Sequence, residues 1–139
     1  MRIIHQTLEV QSPRRGLYSI HGRIEAWLAE VKPLNGLLTV FIQHTSASLL
    51  IQENADPDVR VDLETFFSRL IRDGDPLFTH TAEGPDDMPS HIRAALTQTS
   101  LSIPIIEGQT SLGTWQGVYV YEHRTTPHRR RVLLHYLGT

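Results

Sequence analysis

Between His80 and His91 the chain reads His-Thr-Ala-Glu-Gly-Pro-Asp-Asp-Met-Pro-Ser-His, which sets two imidazoles and the carboxylates of Glu83, Asp86 and Asp87 among Gly84, Pro85 and Pro89. Glycine and proline fix the backbone of a turn, and ionisable side chains held on such a frame suit metal coordination or proton transfer. Asp86 or Asp87 can alternatively cap the helix that follows, with Pro89 in its first turn. A cap accounts for one aspartate and leaves Glu83 and both histidines without a role. The segment is therefore read as a functional loop, with Asp87, His91 and Glu83 as candidate catalytic groups.

Three histidines stand at the edges of predicted elements beside other polar groups. His44 follows an apolar run in His44-Thr-Ser-Ala-Ser48, His91 opens a short helix, and His123 ends Val118-Tyr-Val-Tyr-Glu-His123 ahead of Arg124. Neutral imidazole is a common zinc ligand, and catalytic zinc sites combine three protein ligands with water. The sequence has no cysteine, so a metal here must be held by nitrogen and oxygen. His44, His91 and His123 are the candidate metal ligands, against the alternative of separate, hydrogen-bonded histidines; no His-Glu-x-x-His supports them. Thr45 and Ser46 offer hydroxyl donors to a phosphate, and Glu53 and Asn54 lie where strand ends often carry ligand groups. Asp56 reads as a helix cap.

Thirteen basic and fifteen acidic residues give a net charge of -2 and a pI of about 6.4, which does not describe a general nucleic-acid binder. Twelve of the basic residues are arginine and one is Lys32. Arginine favours bidentate binding of carboxylate or phosphate, compatible with a small anionic ligand or with ion pairs between subunits. No apolar run is long enough to span a membrane and the N-terminus lacks the form of a signal peptide. Absence of cysteine suits a reducing cytosol, so a cytoplasmic protein is expected.

The elements that must position these groups follow from periodicity. Alternation predicts a strand over residues 2–11, and the turn Ser12-Pro-Arg-Arg-Gly16 predicts a hairpin return over 17–20. Ile24, Trp27, Leu28 and Val31 predict a helix over 22–31 that buries Trp27. Strands are expected at 37–43 and 48–53. Asp56-Pro57 then starts a helix through Arg72 whose apolar face is Val59, Leu63, Phe66, Phe67 and Leu70. A short helix at 92–96 precedes strands at 101–106, 115–122 and 131–137, with Pro104 marking an edge or bulge. With no internal repeat and no Gly-rich phosphate loop, this is one α+β domain over 1–139, with a large mixed or antiparallel sheet and two to three helices.

Four ordered stretches together resemble the YjbQ-type family, also called the secondary thiamine-phosphate synthase family. They are His44-Thr-Ser-Ala-Ser48, Glu53-Asn-Ala-Asp-Pro57, Glu83-Gly-Pro-Asp-Asp-Met88 with His91, and Gly113-Thr-Trp-Gln-Gly117 with Glu122-His-Arg124. The resemblance implies a compact α+β domain that assembles as a homotrimer with polar pockets near subunit interfaces. It also implies a weak synthase activity that joins a pyrimidine pyrophosphate to a thiazole phosphate and releases pyrophosphate. The positions thought functional in the family map to His44, Asp87, His91 and His123. Ala55 stands where some relatives carry cysteine, so shared chemistry does not need a thiol. For such a reaction Arg124, and after it Arg130 and Arg131, are candidate phosphate holders, and Asp87 and Glu83 suit Mg²⁺ or a proton. A metal-dependent hydrolase and a non-enzymatic trimer binding a small anion are the competing readings.

Overall fold

The computed structural model describes all residues, Met1–Thr139. The elements in chain order are β1 (Arg2–Ser12), β2 (Gly16–Ser19), α1 (His21–Val31), β3 (Gly36–Ile42), β4 (Ala47–Glu53), α2 (Pro57–Leu70), α3 (Asp87–Leu96), β5 (Ser100–Ile106), β6 (Gln109–Thr110), β7 (Gln116–Glu122) and β8 (His128–Gly138). The strands form two antiparallel sheets, ordered β1-β8-β3-β5-β6 and β2-β7-β4. The α+β expectation holds.

The expected hairpin of β1 and β2 does not form. β1 pairs along its whole length with β8, from Arg2 opposite Gly138 to Ser12 opposite His128. β2 pairs with β7 in the other sheet, Gly16 opposite Glu122. The physical reason is partner length: a four-residue strand cannot satisfy the ladder of an eleven-residue one. The Pro13–Arg15 turn thus carries the chain from one sheet to the other. Pro104 sits in β5, whose outer neighbour β6 pairs only at Ile105 and Ile106, so that side of Pro104 needs no ladder hydrogen.

Alternation decides the core. Leu38, Val40 and Ile42 of β3, Val132, Leu134 and Tyr136 of β8, and Leu49, Val118 and Val120 of the smaller sheet are buried together. Ile24, Trp27, Leu28 and Val31 of α1 pack on them, as their spacing requires. The opposite face of the large sheet leaves Ile3, Leu37, Phe41 and Leu137 exposed.

α2 corrects an expectation. Asp56 caps it, its side chain accepting from the Asp58 N–H at 2.9 Å, but no residue of the helix is buried. Phe66 and Leu70 are exposed, and Phe67 is half-buried, edge-on to Tyr121 at 6.0 Å between centroids and beneath the Arg93 guanidinium at 5.9 Å. The core is already closed by α1 and the two sheets, so the stripe of α2 is only partly covered: Val59, Leu63 and Phe67 are half-buried and Phe66 and Leu70 face outward.

α3 begins at Asp87 rather than near Ile92. Pro89 falls in its first turn, where a missing N–H costs nothing, and the Ser90 N–H donates to the Asp86 carbonyl at 3.0 Å. This early start carries both Asp87 and His91 on one helix.

Candidate functional site

On α3 a spacing of four residues puts Asp87 and His91 on the same face. The irregular segment 71–86 between α2 and α3 folds back, closed by the Gly74 N–H donating to the Pro85 carbonyl at 2.9 Å, and delivers His80 to that face. Gly84 sits in this segment at φ +104, a conformation that L side chains rarely adopt. Asp87 Oδ2 lies 2.6 Å from His80 Nε2 and 3.0 Å from His91 Nε2. One ligand atom from each of the three lies within 4.8 Å of the other two.

Asp87 is only 2% exposed, and Arg124 fixes its other oxygen, Nη1 donating to Oδ1 at 2.8 Å. Arg124 also donates from Nε to Asp86 Oδ2 at 3.0 Å and from Nη2 to the Glu83 carbonyl at 2.9 Å. Asp86 accepts further from the Thr125 N–H and hydroxyl, at 2.9 and 3.1 Å. Neither aspartate therefore caps α3 with its side chain. Burial raises both carboxyl pKa values, yet the hydrogen bonds and positive partners outweigh it. The Arg124 and Thr125 contacts bring Asp86 down to about 2, and His80, His91 and Arg124 hold Asp87 below the usual carboxylate value.

His91 carries the decisive detail. Its Nδ1 is 2.8 Å from the Thr45 carbonyl oxygen, which can only accept, so Nδ1 holds a proton. In the neutral ring Nε2 is then a bare lone pair, and it faces the Asp87 carboxylate at 3.0 Å. Two acceptors at that distance repel unless a positive charge lies between them, either a second proton or a cation. Two imidazoles and one carboxylate are a donor set for zinc or a similar first-row divalent ion, not for Mg²⁺, which prefers oxygen. Binding at about 2.0–2.2 Å asks for ligand atoms roughly 3–4 Å apart; the His91–Asp87 pair meets this at 3.0 Å, and the His80–Asp87 pair, at 2.6 Å, has to open by several tenths of an ångström to admit an ion.

The structure thus groups His91 with His80 and Asp87, whereas the sequence reading grouped it with His44 and His123. His44 Nε2 accepts the Arg131 N–H at 2.8 Å, so its lone pair is already engaged. Burial, with Arg130 and Arg131 nearby, lowers the His44 pKa despite the opposing charge of Glu122. His123 is fully buried, 2.8 Å from Ser48 Oγ and tilted at 51° against the Tyr121 ring, 4.4 Å between centroids. Burial, reinforced by the charges of Arg93, Arg15 and Arg130, pushes it down to about 3, which keeps it neutral.

The remaining candidates divide similarly. Glu53 Oε2 accepts from the N–H groups of Ala55 and Asp56, at 2.5 and 3.1 Å, and Asn54 Nδ2 donates to the Thr114 carbonyl at 3.1 Å; both brace the entry to α2. Ser46 accepts from Arg130 through its hydroxyl and carbonyl. The Glu83 side chain is exposed, and only its backbone oxygen joins the site. Arg124, nominated for phosphate, has every nitrogen engaged on Asp86, Asp87 and Glu83. Thr45 lines a cavity of about 300 Å³ with His44, His91, Ala94, Ala95 and Thr99. The sequence signal for His80 is Asp87 and His91 at helical spacing with a histidine in the preceding turn.

Fold and site together define a small antiparallel α+β domain carrying a histidine–aspartate cluster at the start of a short helix. Residues 6–139 match the family described as UPF0047 protein YjbQ-like, and the chain belongs to that family. It is 48% identical over 133 residues to UPF0047 protein sll1880 of Synechocystis, covering 96% of this chain and 90% of the relative. It is 43% identical over 129 residues to UPF0047 protein YjbQ of Escherichia coli O157:H7, covering 92% and 93%. Among solved structures, hypothetical protein APE1520 of Aeropyrum pernix superposes with a TM-score of 0.86 at 31% identity, over 100% of both chains. A YbjQ-like protein of unknown function from Sulfolobus solfataricus superposes with a TM-score of 0.90 at 19% identity, over 99% of both. No helix is long and apolar enough to cross a membrane.

Proposed function

We propose that the chain is a divalent-metal-dependent hydrolase of a small molecule, with zinc held by His80, Asp87 and His91. The observation that carries this reading is His91 Nε2 facing the Asp87 carboxylate with His80 beside it, an arrangement that a bound cation satisfies in place of a second proton on His91. When bound, the ion supplies Lewis acidity and makes a neighbouring water more acidic. The Thr45 carbonyl orients His91, and Arg124 orients Asp87 through its far oxygen, as outer partners of metal ligands do. The cavity beside His91 receives the substrate.

The thiamine-phosphate synthase reading rests on the family resemblance. It also asks for free cations at a departing pyrophosphate, and all three nitrogens of Arg124 are engaged on Asp86, Asp87 and Glu83. We further propose self-association as a homotrimer, supported by the exposed Phe66 and Leu70 of α2 and the exposed apolar residues of the large sheet. Light scattering that returns the monomer mass of 15.8 kDa at micromolar concentration overturns the trimer.

The catalytic reading is tested by zinc titration calorimetry on the wild type and His91→Gln, followed by turnover of ester and phosphoester panels and of the two synthase substrates, with and without zinc. Stoichiometric zinc binding lost in His91→Gln, with zinc-dependent hydrolysis, is expected. A wild type that takes up no zinc at neutral pH sinks the metal reading, and zinc-stimulated pyrophosphate release from the synthase substrates alone replaces hydrolase with transferase.

A further inference from the structure

His44 stands outside the His80–Asp87–His91 group, and the contact that holds it there gives it another role. Because Nε2 accepts the Arg131 N–H at 2.8 Å, the neutral ring carries its proton on Nδ1. The nearest polar atom to that proton is Arg130 Nη1 at 3.4 Å, itself a donor. Two donors cannot satisfy each other. Arg130 is otherwise fully engaged: Nε reaches Glu122 Oε1 at 2.7 Å, while Nη2 reaches Glu122 Oε2 at 2.5 Å and the Ser46 hydroxyl at 3.0 Å. With His44 in the Nδ1–H form, Nη1 has no acceptor within the chain. The two N–H groups therefore lie side by side without an acceptor, on an arginine only 4% exposed and on an imidazole that lines the same cavity as His91.

We propose that His44 Nδ1–H and Arg130 Nη1–H form a paired-donor cradle for one anionic oxygen, phosphoryl or carboxylate, of the molecule that occupies the His91 cavity. The ion pair with Glu122 and the Arg131 N–H fix both donors before any ligand arrives, and donors held in place cost nothing to reorganise. The cavity volume of about 300 Å³ lies at the lower end of the range for small-molecule sites. This deepens the hydrolase reading by naming an anionic substrate, and it rests on that reading only for what happens to the oxygen once bound.

Nitrogen-15 spectra of the histidine side chains read the His44 tautomer directly in the wild type, and titrations with inorganic phosphate and with acetate, monitored at the same nitrogens, read the cradle. We expect the Nδ1–H form, saturable binding of one probe that shifts His44 Nδ1, and roughly 10–100-fold weaker binding in His44→Ala. Melting temperature and zinc content serve as controls on that variant; if it fails to fold, the wild-type tautomer and titration decide alone. Saturation by phosphate only assigns the oxygen to a phosphoryl group, and saturation by acetate only assigns it to a carboxylate. An Nε2–H tautomer, unmoved resonances at millimolar amounts of both probes, or a folded His44→Ala that binds as the wild type does overturns the cradle. Binding of a probe by protein that takes up no zinc leaves the cradle standing and overturns the metal reading instead.

Discussion

Asp87 and Glu122 are both buried carboxylates paired to an arginine, and they do opposite things. Glu122 is closed: Ser12 and Arg130 Nε donate to Oε1, and Arg130 Nη2 and the Arg124 N–H donate to Oε2, every one a fixed donor. Burial raises its pKa, but those donors more than reverse the effect. Asp87 is half closed. Arg124 fixes Oδ1, while Oδ2 faces two imidazoles that are 43% and 31% exposed, one of which cannot donate while neutral. A carboxylate whose acceptors are all matched to permanent donors holds the fold. One whose last acceptor position depends on an exchangeable charge can bind something.

The contrast is broken most sharply at Glu122. Glu122→Gln leaves Arg130 buried without its counter-charge and should cost about 3–5 kcal/mol. Calorimetric melting should show a fall of roughly 10 °C or more, whether or not zinc is present. Asp87→Asn should behave inversely. Arg124 keeps Asp86 and the Glu83 carbonyl, so the metal-free melting temperature should change by no more than a few degrees. Zinc affinity, measured by competition with a chelator, should drop by more than the factor of about 10–100 typical of outer partners. A variant that melts early yet binds zinc normally makes Asp87 a second Glu122.

A third, smaller effect belongs to the buried His123 and is read by pH. His123 has a folded pKa of about 3. The unfolded ring takes up its proton near 6.5, so below that pH the unfolded chain binds a proton the folded chain refuses. Its contribution is therefore fully present above about pH 6.5 and declines by about 1.4 kcal/mol per unit towards pH 3, or about 2 kcal/mol by pH 5. Denaturant melts of His123→Gln across this range should show a correspondingly flatter profile; an unchanged slope removes His123 as its source. Least of all, Asp56→Ala removes the cap of the exposed α2 and should cost about 1 kcal/mol with no change in zinc affinity, because α2 donates nothing to the cluster.

Local rules were legible in the chain itself. Asp56-Pro57 starts α2, Trp27 faces the core, and alternation sets which residues of β3 and β8 are inside, because capping, helical spacing and the pleat act within a few residues. The loop from His80 to His91 was likewise legible as a ligand-rich turn, with Asp87 and His91 in it. Partnership over long separations was not. Whether β1 pairs with β2 or β8, whether the stripe of α2 is covered, and which histidines meet depend on sheet registers that bring Arg124 to Asp87 and Arg131 to His44. Periodicity reports that a side chain faces one way and is silent on what it faces. Only the packed sheets decided that His44 would give its lone pair to a backbone N–H, that His123 would be sealed beside Ser48, and that His91 would be left pointing a lone pair at a carboxylate.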